Sequence, residues 1–309
     1  MYDILQNVTI YSAVIVCNVI SPIVFYNFPG ISLRGGFGYS LKKSVCIMKN
    51  LNDCTSCAIV SDCPYAYIFE TPNVFPSEKM KSSTHYPHPF SLTPLNPYPA
   101  QFNNGDKFKI KLSMFGKAVK YFPNILYALI ELGNMGLGKK LGKYEISQIY
   151  DYTSGAIVYD GNSMSLNKLM PYTFNNSNVT DTLKIEFLTP CKIKANGKYQ
   201  RFIDIENIIK NIKRKIENIS YFFEGKSIIL DMSNIKFHNI ACVNSTISWE
   251  MNKRYSKRKE QNMLLGGYKG RAFFKGDVTP IYPLLKIGEA INIGSNTSFG
   301  FGAIQVDYV

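Results

Sequence analysis

The stretch GGYKGRAFFKGDVTPIYPLLKIGEAINIGSNTSFGFGAIQVDY, residues 266–308, contains a strand, a helix and a second strand in succession. Tyr268 to Phe274 has the composition of a strand, Ile281 to Ile291 repeats apolar residues at helical spacing, and Ala303 to Tyr308 ends the chain as a strand. A loop of small residues with three glycines separates the helix from the last strand. Glycine has no Cβ, so a ligand can approach such a loop closely.

The residues before this stretch are predicted to complete one folding unit with it. Strands are predicted at Leu183 to Leu188, ending at Thr189-Pro190, then at Ile228 to Met232 and Val243 to Trp249, and one long helix has its apolar face between Ile205 and Phe223. This order is a βαββαβ unit.

The first half of the chain has the same order of elements. A strand is predicted within Gln6 to Ser21, a helix at Leu33 to Val45 with an apolar residue every four positions, a strand at Lys107 to Phe115, and a helix at Val119 to Leu132 that Gly133 ends. The proline-rich segment from Pro64 to Asn104 is predicted to run mostly as an extended linker. The predicted fold is α+β, with tandem ferredoxin-like domains at 1–178, carrying a Cys-rich and Pro-rich insertion at 46–104, and at 179–309.

Composition and charge indicate a folded protein whose basic excess suits a polyanion or an anionic membrane surface. The 309 residues are 46% hydrophobic, which excludes a disordered chain, and the net charge is +13. Residues 181–309 contain 20 basic and 12 acidic side chains, an excess of +8. A surface charge that serves only solubility is the alternative. The N-terminus has no basic region of a signal peptide and the apolar run from Ala13 to Phe28 is interrupted by polar residues, so we expect a cytoplasmic protein without a membrane partner.

An ordered series of motifs points to a known family. It comprises Arg254-x-Ser256-x-Arg258, Leu265-Gly266-Gly267-x-x-Gly270, Gly276-Asp277, Leu284-Leu285-x-x-Gly288-Glu289 and Gly294-x5-Gly300-x-Gly302. Upstream lie LRGGFGYSLKKSVC (33–46), CTSCAIVSDCPYAYIFE (54–70), PHPFSLTP (87–94) and FLTPCKIKANGKY (187–199). Together these segments resemble the Cas6 family of CRISPR-associated endoribonucleases, in the RAMP superfamily, which process precursor crRNA.

The resemblance implies tandem ferredoxin-like (RRM-like) domains and a nuclease that cuts CRISPR repeat RNA. It further implies metal-independent attack by the ribose 2′-hydroxyl, giving a 2′,3′-cyclic phosphate and a 5′-hydroxyl. The expected partner is the repeat RNA or crRNA, with a CRISPR effector complex as a further partner, and the protein is expected to be a monomer or homodimer. Two alternatives stay open: a catalytically inactive crRNA-binding subunit of an effector complex, and a basic protein without an RNA role.

The proposed catalytic side chains follow from the resemblance, because several family members use a tyrosine and lysines on or near the first helix. Here these are Tyr39, Lys42 and Lys43, on the side of that helix away from its apolar residues, where an ordinary solvated helix face is the alternative. Histidine suits proton transfer at neutral pH. The chain has three histidines, of which His238, in a predicted strand, is chosen as a candidate, and His85 and His88 lie in the linker. Asn292 and Ser295 stand where family members often have histidine and lysine.

The RNA-binding candidates concentrate in the basic run Arg254 to Lys259 and the glycine-rich loop. Arginine binds phosphate with two parallel hydrogen bonds and stacks on unpaired bases. A solvated charged surface is the alternative. The full predicted set is Arg34, Arg254, Ser256, Lys257, Arg258, Lys259, Gly266, Gly267, Asn292, Gly294, Ser295, Asn296, Gly300 and Gly302.

Four of the seven cysteines lie within eighteen residues, as Cys46-x7-Cys54-x2-Cys57-x5-Cys63. Clustered thiols with one Cys-x2-Cys pair favour a structural zinc site over a disulfide framework. An iron–sulfur cluster and four reduced core cysteines remain alternatives. We predict that zinc joins the end of the first helix to the following loop, and we expect no catalytic metal.

Overall fold

A computed structural model describes residues 8–49, 51, 53–73, 79, 86–95, 101–174, 180–256 and 261–309. Backbone contacts divide the chain into two units. The N-terminal unit comprises Tyr11–Met170 and Asn218–Lys226, and the C-terminal unit comprises Met1–Ile10, Pro171–Glu217 and Ser227–Val309. The predicted domain boundary between residues 178 and 179 lies outside the described residues.

The N-terminal unit has seven strands and two α-helices in the part that the structure describes. They are β1 (Ile10–Val19), β2 (Ile23–Val24), α1 (Pro29–Val45), β3 (Phe90–Pro94), β4 (Gln101–Phe102), β5 (Lys107–Phe115), α2 (Phe122–Met135), β6 (Tyr144–Asp151) and β7 (Ile157–Tyr159). The main sheet is antiparallel in the order β3-β5-β1-β6-β7, and β2 pairs with β4. Without β7, this is the strand order of a ferredoxin-like unit, which confirms the predicted fold class.

The core of this unit lies under the apolar face of α1 that the sequence predicts. Leu33, Phe37 and Leu41 are buried, whereas Tyr39 is 66% exposed. Helix α2 does not end at Gly133 as predicted, but continues to Met135. Gly133 is there because a Cβ would collide with the backbone carbonyl of Tyr144, so the glycine allows close helix–strand packing and does not end the helix.

The prediction of an extended linker from Pro64 to Asn104 is wrong in two places. Residues 64–70 are helical, with Ala66 and Ile68 buried. All five residues of β3 are buried, and this strand forms the edge of the main sheet, where Pro94 is tolerated because its missing N–H faces no partner strand. The segment therefore supplies one strand of the ferredoxin-like unit.

The C-terminal unit contains a second ferredoxin-like sheet. Its elements are β8 (Thr182–Cys191), β9 (Lys194–Ala195), β10 (Lys198–Tyr199), most of α3 (Ile205–Ile219), β11 (Ile240–Ser245), β12 (Ser248–Ser256), β13 (Gln261–Gly276), α4 (Tyr282–Ile291) and β14 (Ile304–Tyr308). The sheet order is β11-β13-β8-β14, β12 also pairs with β13, and β9 and β10 form a separate hairpin.

Three strand predictions in this unit are corrected. Residues 228–232 form no strand, and β8 continues through Thr189 and Pro190 to Cys191. The strand predicted at Val243 to Trp249 is two strands, because the sixteen-residue β13 pairs first with β12 and then with β11. The break lies opposite Gly270, whose φ of +127° accompanies a register shift.

None of the helices in the described part of the chain is long and apolar enough to cross a membrane.

Candidate nucleic-acid interface

The glycine loop, residues 292–302, is held in one conformation by backbone hydrogen bonds. Ile293 N donates to Gly302 O (2.8 Å), Gly302 N to Pro190 O (2.9 Å) and Ser295 N to Lys192 O (2.8 Å). The Asn211 side chain accepts from Gly294 N (2.7 Å). Because these amides already have partners within the protein, the loop is preorganised, and its backbone is not an open cradle of free N–H groups.

Three predicted RNA-binding residues of this loop are buried in this structure. Asn292 has no exposed surface, and its Nδ2 donates to Phe301 O (3.0 Å), so its side chain holds the loop from inside. Gly300 and Gly302 are also buried. Their left-handed φ angles, +79° and +71°, explain why glycine is required there. Gly294, Ser295 and Asn296 are partly exposed and remain the loop residues that RNA could contact.

Gly266 and Gly267, two further predicted RNA-binding residues, are likewise buried in this structure. A Cβ on Gly266 would lie 2.6 Å from Met251 Sδ, and one on Gly267 would lie 2.6 Å from the Cys191 backbone. Both glycines thus allow close packing within the C-terminal unit.

A lysine that sequence reasoning missed anchors the glycine loop. Lys215 of α3 donates to the carbonyl oxygens of Ile291 and Asn292 and to Thr297 Oγ1, the last two at 2.9 Å. These carbonyls end α4, where the helix dipole favours a positive charge. In the sequence Lys215 is one of three consecutive basic residues, and nothing in that run indicates which of them reaches a loop some eighty residues away.

Arg254 joins the β12–β13 hairpin to the glycine loop. Its guanidinium carbon lies 4.6 Å from the centre of the Phe299 ring. The neighbouring cations of the sheet are paired: Arg271 with Glu186 (3.1 Å), Lys184 with Asp307 (2.8 Å) and Lys269 with Glu250 (3.8 Å).

Within the described residues, Arg254 has no carboxylate partner. Burial lowers the pKa of its guanidinium, which nevertheless stays charged at neutral pH. A half-buried arginine without a carboxylate partner among the described residues suits a phosphate group.

The rest of the predicted basic run is not described. Lys257, Arg258 and Lys259 lie outside the described residues, and the structure gives the backbone of Ser256, at the end of β12, but not its side chain.

The predicted catalytic residues of α1 lie on the surface of the N-terminal unit. Tyr39 and Lys43 are exposed, and Lys42 places its Nζ 5.8 Å from the centre of the Tyr65 ring. His238, in the C-terminal unit, is exposed in the short helical turn Phe237–Asn239 before β11, which corrects its predicted position within a strand.

Arg34, a predicted RNA-binding residue, is engaged inside the N-terminal unit. Its guanidinium lies 4.4 Å above the Phe69 ring and 2.8 Å from His88 Nε2. Arginine only donates, so His88 accepts through Nε2 and its Nδ1–H faces Thr71 Oγ1 at 3.3 Å. His88 is therefore a partner of Arg34 in this structure, not an exposed linker histidine.

The four clustered cysteines line one small cavity together with Lys42 and Ala66. All four are free thiols. Burial and the nearby Glu70 carboxylate raise the pKa of Cys54 to about 11, with Lys42 opposing the shift. Within the described residues, no three Cys, His, Asp or Glu side chains are already arranged as a metal site. Four thiols are a donor set that suits zinc, and they would have to move closer together to bind the ion.

Two protein-family models match different parts of the chain. A family model described as an N-terminal domain matches residues 8–170, and the model of the CRISPR-associated endoribonuclease Cas6 matches residues 185–304. An uncharacterised protein of Archaeoglobus fulgidus is 28% identical over 296 residues, which covers 90% of this chain and 91% of that protein.

Similar solved structures include Cas6 of Thermus thermophilus, with a TM-score of 0.54, 12% identity and coverage of 97% of this chain and 99% of that one. A Cas6 product complex has a TM-score of 0.54 at 15% identity, with coverage of 96% of this chain and 100% of that one. A chain of a partial Cas6-RT-Cas1–Cas2 complex has a TM-score of 0.58 at 13% identity, with coverage of 98% of this chain and 46% of that one. At these identities the similarity establishes the tandem ferredoxin-like fold.

Proposed function

Because the chain belongs to the Cas6 family of CRISPR-associated endoribonucleases, we propose that it binds CRISPR repeat RNA and cleaves it to mature crRNA. The observation that best supports this is the position of Arg254 against Phe299 of the glycine loop, without a carboxylate partner in the described chain. The Arg254 guanidinium can pack on the Phe299 ring and still donate hydrogen bonds to an anion. The phosphates of an RNA strand would supply that anion.

The proposed reaction is transesterification at one phosphate, without a catalytic metal. The 2′-oxygen attacks the phosphorus in line with the bond to the 5′-oxygen, and that bond breaks. The 2′-hydroxyl loses its proton to a base and the departing 5′-oxygen takes up a proton, so the products carry a 2′,3′-cyclic phosphate and a 5′-hydroxyl. The protein must align the atoms and stabilise the charge that develops on the phosphate.

We assign these tasks to residues of α1, with His238 as a candidate for proton transfer. Lys42 and Lys43 would stabilise the phosphorane charge, and Tyr39 would hold or exchange a proton. Tyr39 and Lys43 are exposed on α1 and Lys42 is partly exposed, so a substrate could reach all three. The alternative function, a crRNA-binding subunit without catalysis, uses the same Arg254 contact and needs none of the α1 residues.

Incubating the purified protein with a labelled CRISPR repeat in excess EDTA tests the proposal. We expect cleavage with a 2′,3′-cyclic phosphate on the upstream product. Tight binding without cleavage would establish the alternative subunit role, and neither binding nor cleavage of repeat RNA would overturn both.

Replacing Lys42 and Lys43 together by alanine tests the role of α1. We expect single-turnover cleavage to slow by about tenfold at saturating RNA, since exposed cations stabilise charge less than buried ones. The Lys117→Ala, Lys120→Ala variant removes the same charge from two exposed lysines of the same unit and should cleave normally. An unchanged rate in the Lys42, Lys43 variant would remove α1 from the mechanism.

We further propose that Cys46, Cys54, Cys57 and Cys63 hold a structural zinc ion. What supports this is that all four thiols line one cavity between the end of α1 and the helical turn at 66–70. The metal would be bound as a thiolate complex, and because the pKa of Cys54 is raised to about 11, its binding must release protons.

Elemental analysis of the purified protein is expected to find about one zinc per chain. The Cys54→Ser, Cys57→Ser variant should lose the metal and unfold at a lower temperature. The Cys242→Ser variant, at an exposed cysteine outside the cluster, should keep it. Iron with visible absorbance would indicate a cluster instead, and neither metal would overturn the proposal.

A further inference from the structure

A second surface of the C-terminal unit combines positive charge with exposed aromatic rings. This is the basic hairpin, residues 192–202, with the sequence KIKANGKYQRF. It contains four basic residues and no acidic one. Strands β9 and β10 are joined by Asn196 and Gly197, which both have positive φ, +49° and +77°, as a tight two-residue turn of type I′ requires.

Two cation–ring contacts organise this hairpin. Lys192 Nζ lies 3.8 Å from the centre of the Tyr199 ring, and the Arg201 guanidinium lies 5.9 Å from the Trp249 ring of β12. Nevertheless 48% of Tyr199 and 65% of Phe202 remain exposed. Two large exposed rings within four residues offer a surface that a ligand could cover.

The hairpin adjoins the candidate interface already described. The Lys192 carbonyl accepts from Ser295 N of the glycine loop at 2.8 Å, and Arg201 contacts β12, the strand that carries Arg254. The basic hairpin therefore touches both elements that meet at the Arg254–Phe299 contact.

We propose that the basic hairpin is a second RNA-binding element, which stacks unpaired nucleobases on Tyr199 and Phe202 while Lys194, Lys198 and Arg201 contact the flanking phosphates. This proposal rests on the proposed function, since the basic hairpin would bind a further part of the same RNA strand. Aromatic rings interleaved with cations are the chemistry that binds single-stranded nucleic acid. The hairpin has four basic side chains and no acidic one, which favours a polyanionic partner.

The test measures binding of a labelled single-stranded repeat RNA to the full chain. Tyr199→Ala and Phe202→Ala are each expected to weaken affinity by about tenfold, the loss typical of one stacked base. Tyr152→Ala is the matched control, because this partly exposed tyrosine also has a lysine, Lys111, above its ring but lies in the N-terminal unit. Its affinity should equal that of the unaltered protein.

Intrinsic fluorescence gives an independent readout, since Trp249 is the one tryptophan of the chain. RNA should change its emission, and the Phe202→Ala variant should need about ten times more RNA for the same change. Circular dichroism of the variants checks that the fold is kept.

The outcomes separate this proposal from the previous one. If the unaltered protein binds RNA and Arg254→Gln weakens it, but the two ring variants bind normally, the hairpin proposal is overturned and the proposed function stands. If the ring variants lose as much affinity for a blunt RNA duplex as for a single strand, stacking on unpaired bases is wrong. If the unaltered protein binds no RNA, both proposals fall.

Discussion

Arg254→Gln is expected to weaken the affinity for repeat RNA by about 30-fold and to lower the slope of log affinity against log salt by about one. The guanidinium is already positioned against Phe299 and partly desolvated, so RNA binding gains a charge-assisted contact without first breaking an ion pair in the described chain. Glutamine keeps hydrogen-bonding capacity and much of the side-chain length, so the loss reports mainly on charge. Filter binding or fluorescence anisotropy at four or more salt concentrations measures both quantities.

Arg271→Gln is the matched control for this prediction. Arg271 lies on the paired strand β13, loses the same charge on substitution, and is bound to Glu186 at 3.1 Å. If charge alone governed affinity, both variants would weaken binding equally through the general field of a chain with net charge +13. Equal effects would therefore refute a specific role for Arg254, and a loss confined to Arg254→Gln would support it.

The sequence predicted those elements whose periodicity is set by a single buried face. Leu33, Phe37 and Leu41 recur every four residues and are buried on α1, and the isoleucines of α3 are buried in the same way. Strands β5 and β14 were also placed close to their observed bounds. In these elements local pattern and tertiary burial agree.

What sequence reasoning missed depends on partners distant in the chain. Strand β13 is long because two different strands pair with it in turn, and no local signal specifies that. Strand β3 was hidden in a proline-rich segment, since Pro94 is compatible with a sheet edge but not with a central strand. Helix α2 likewise runs past Gly133, where close packing requires glycine, and ends before Gly136, whose φ is +95°.

In the candidate interface, too, local sequence pattern predicted some features, and others depend on residues distant in the chain. Sequence motifs identified the glycine loop and Arg254, which the structure brings into contact through Phe299. They could not distinguish the inward-facing Asn292 from the partly exposed Asn296, because the loop is oriented by Lys192, Asn211 and Lys215, whose contacts lie far away in sequence. A glycine-rich motif therefore indicated where a rigid loop lies, but not which of its residues meet the solvent.

Gly302→Ala is expected to destabilise the C-terminal unit by about 3 kcal/mol or more, seen as a fall of roughly 5–10 °C in its thermal midpoint. The residue has φ +71°, which alone costs an L-residue about 1–2 kcal/mol. A Cβ there would also collide with the backbone carbonyl of Ile293, whose own N–H donates to Gly302 O at 2.8 Å, so moving Ile293 away would strain that hydrogen bond.

Gly197→Ala separates these two costs, because Gly197 has a similar φ of +77° but nothing within 4 Å of the added Cβ. It should lose about 1–2 kcal/mol, the backbone cost alone. If Gly302→Ala were no more destabilising than Gly197→Ala, the loop would be able to relax around Ile293, and the rigid support inferred for Phe299 beneath Arg254 would be wrong. If the larger loss is found, RNA affinity of Gly302→Ala, measured well below its midpoint, should fall together with that of Arg254→Gln, because the displaced Phe299 no longer positions the guanidinium.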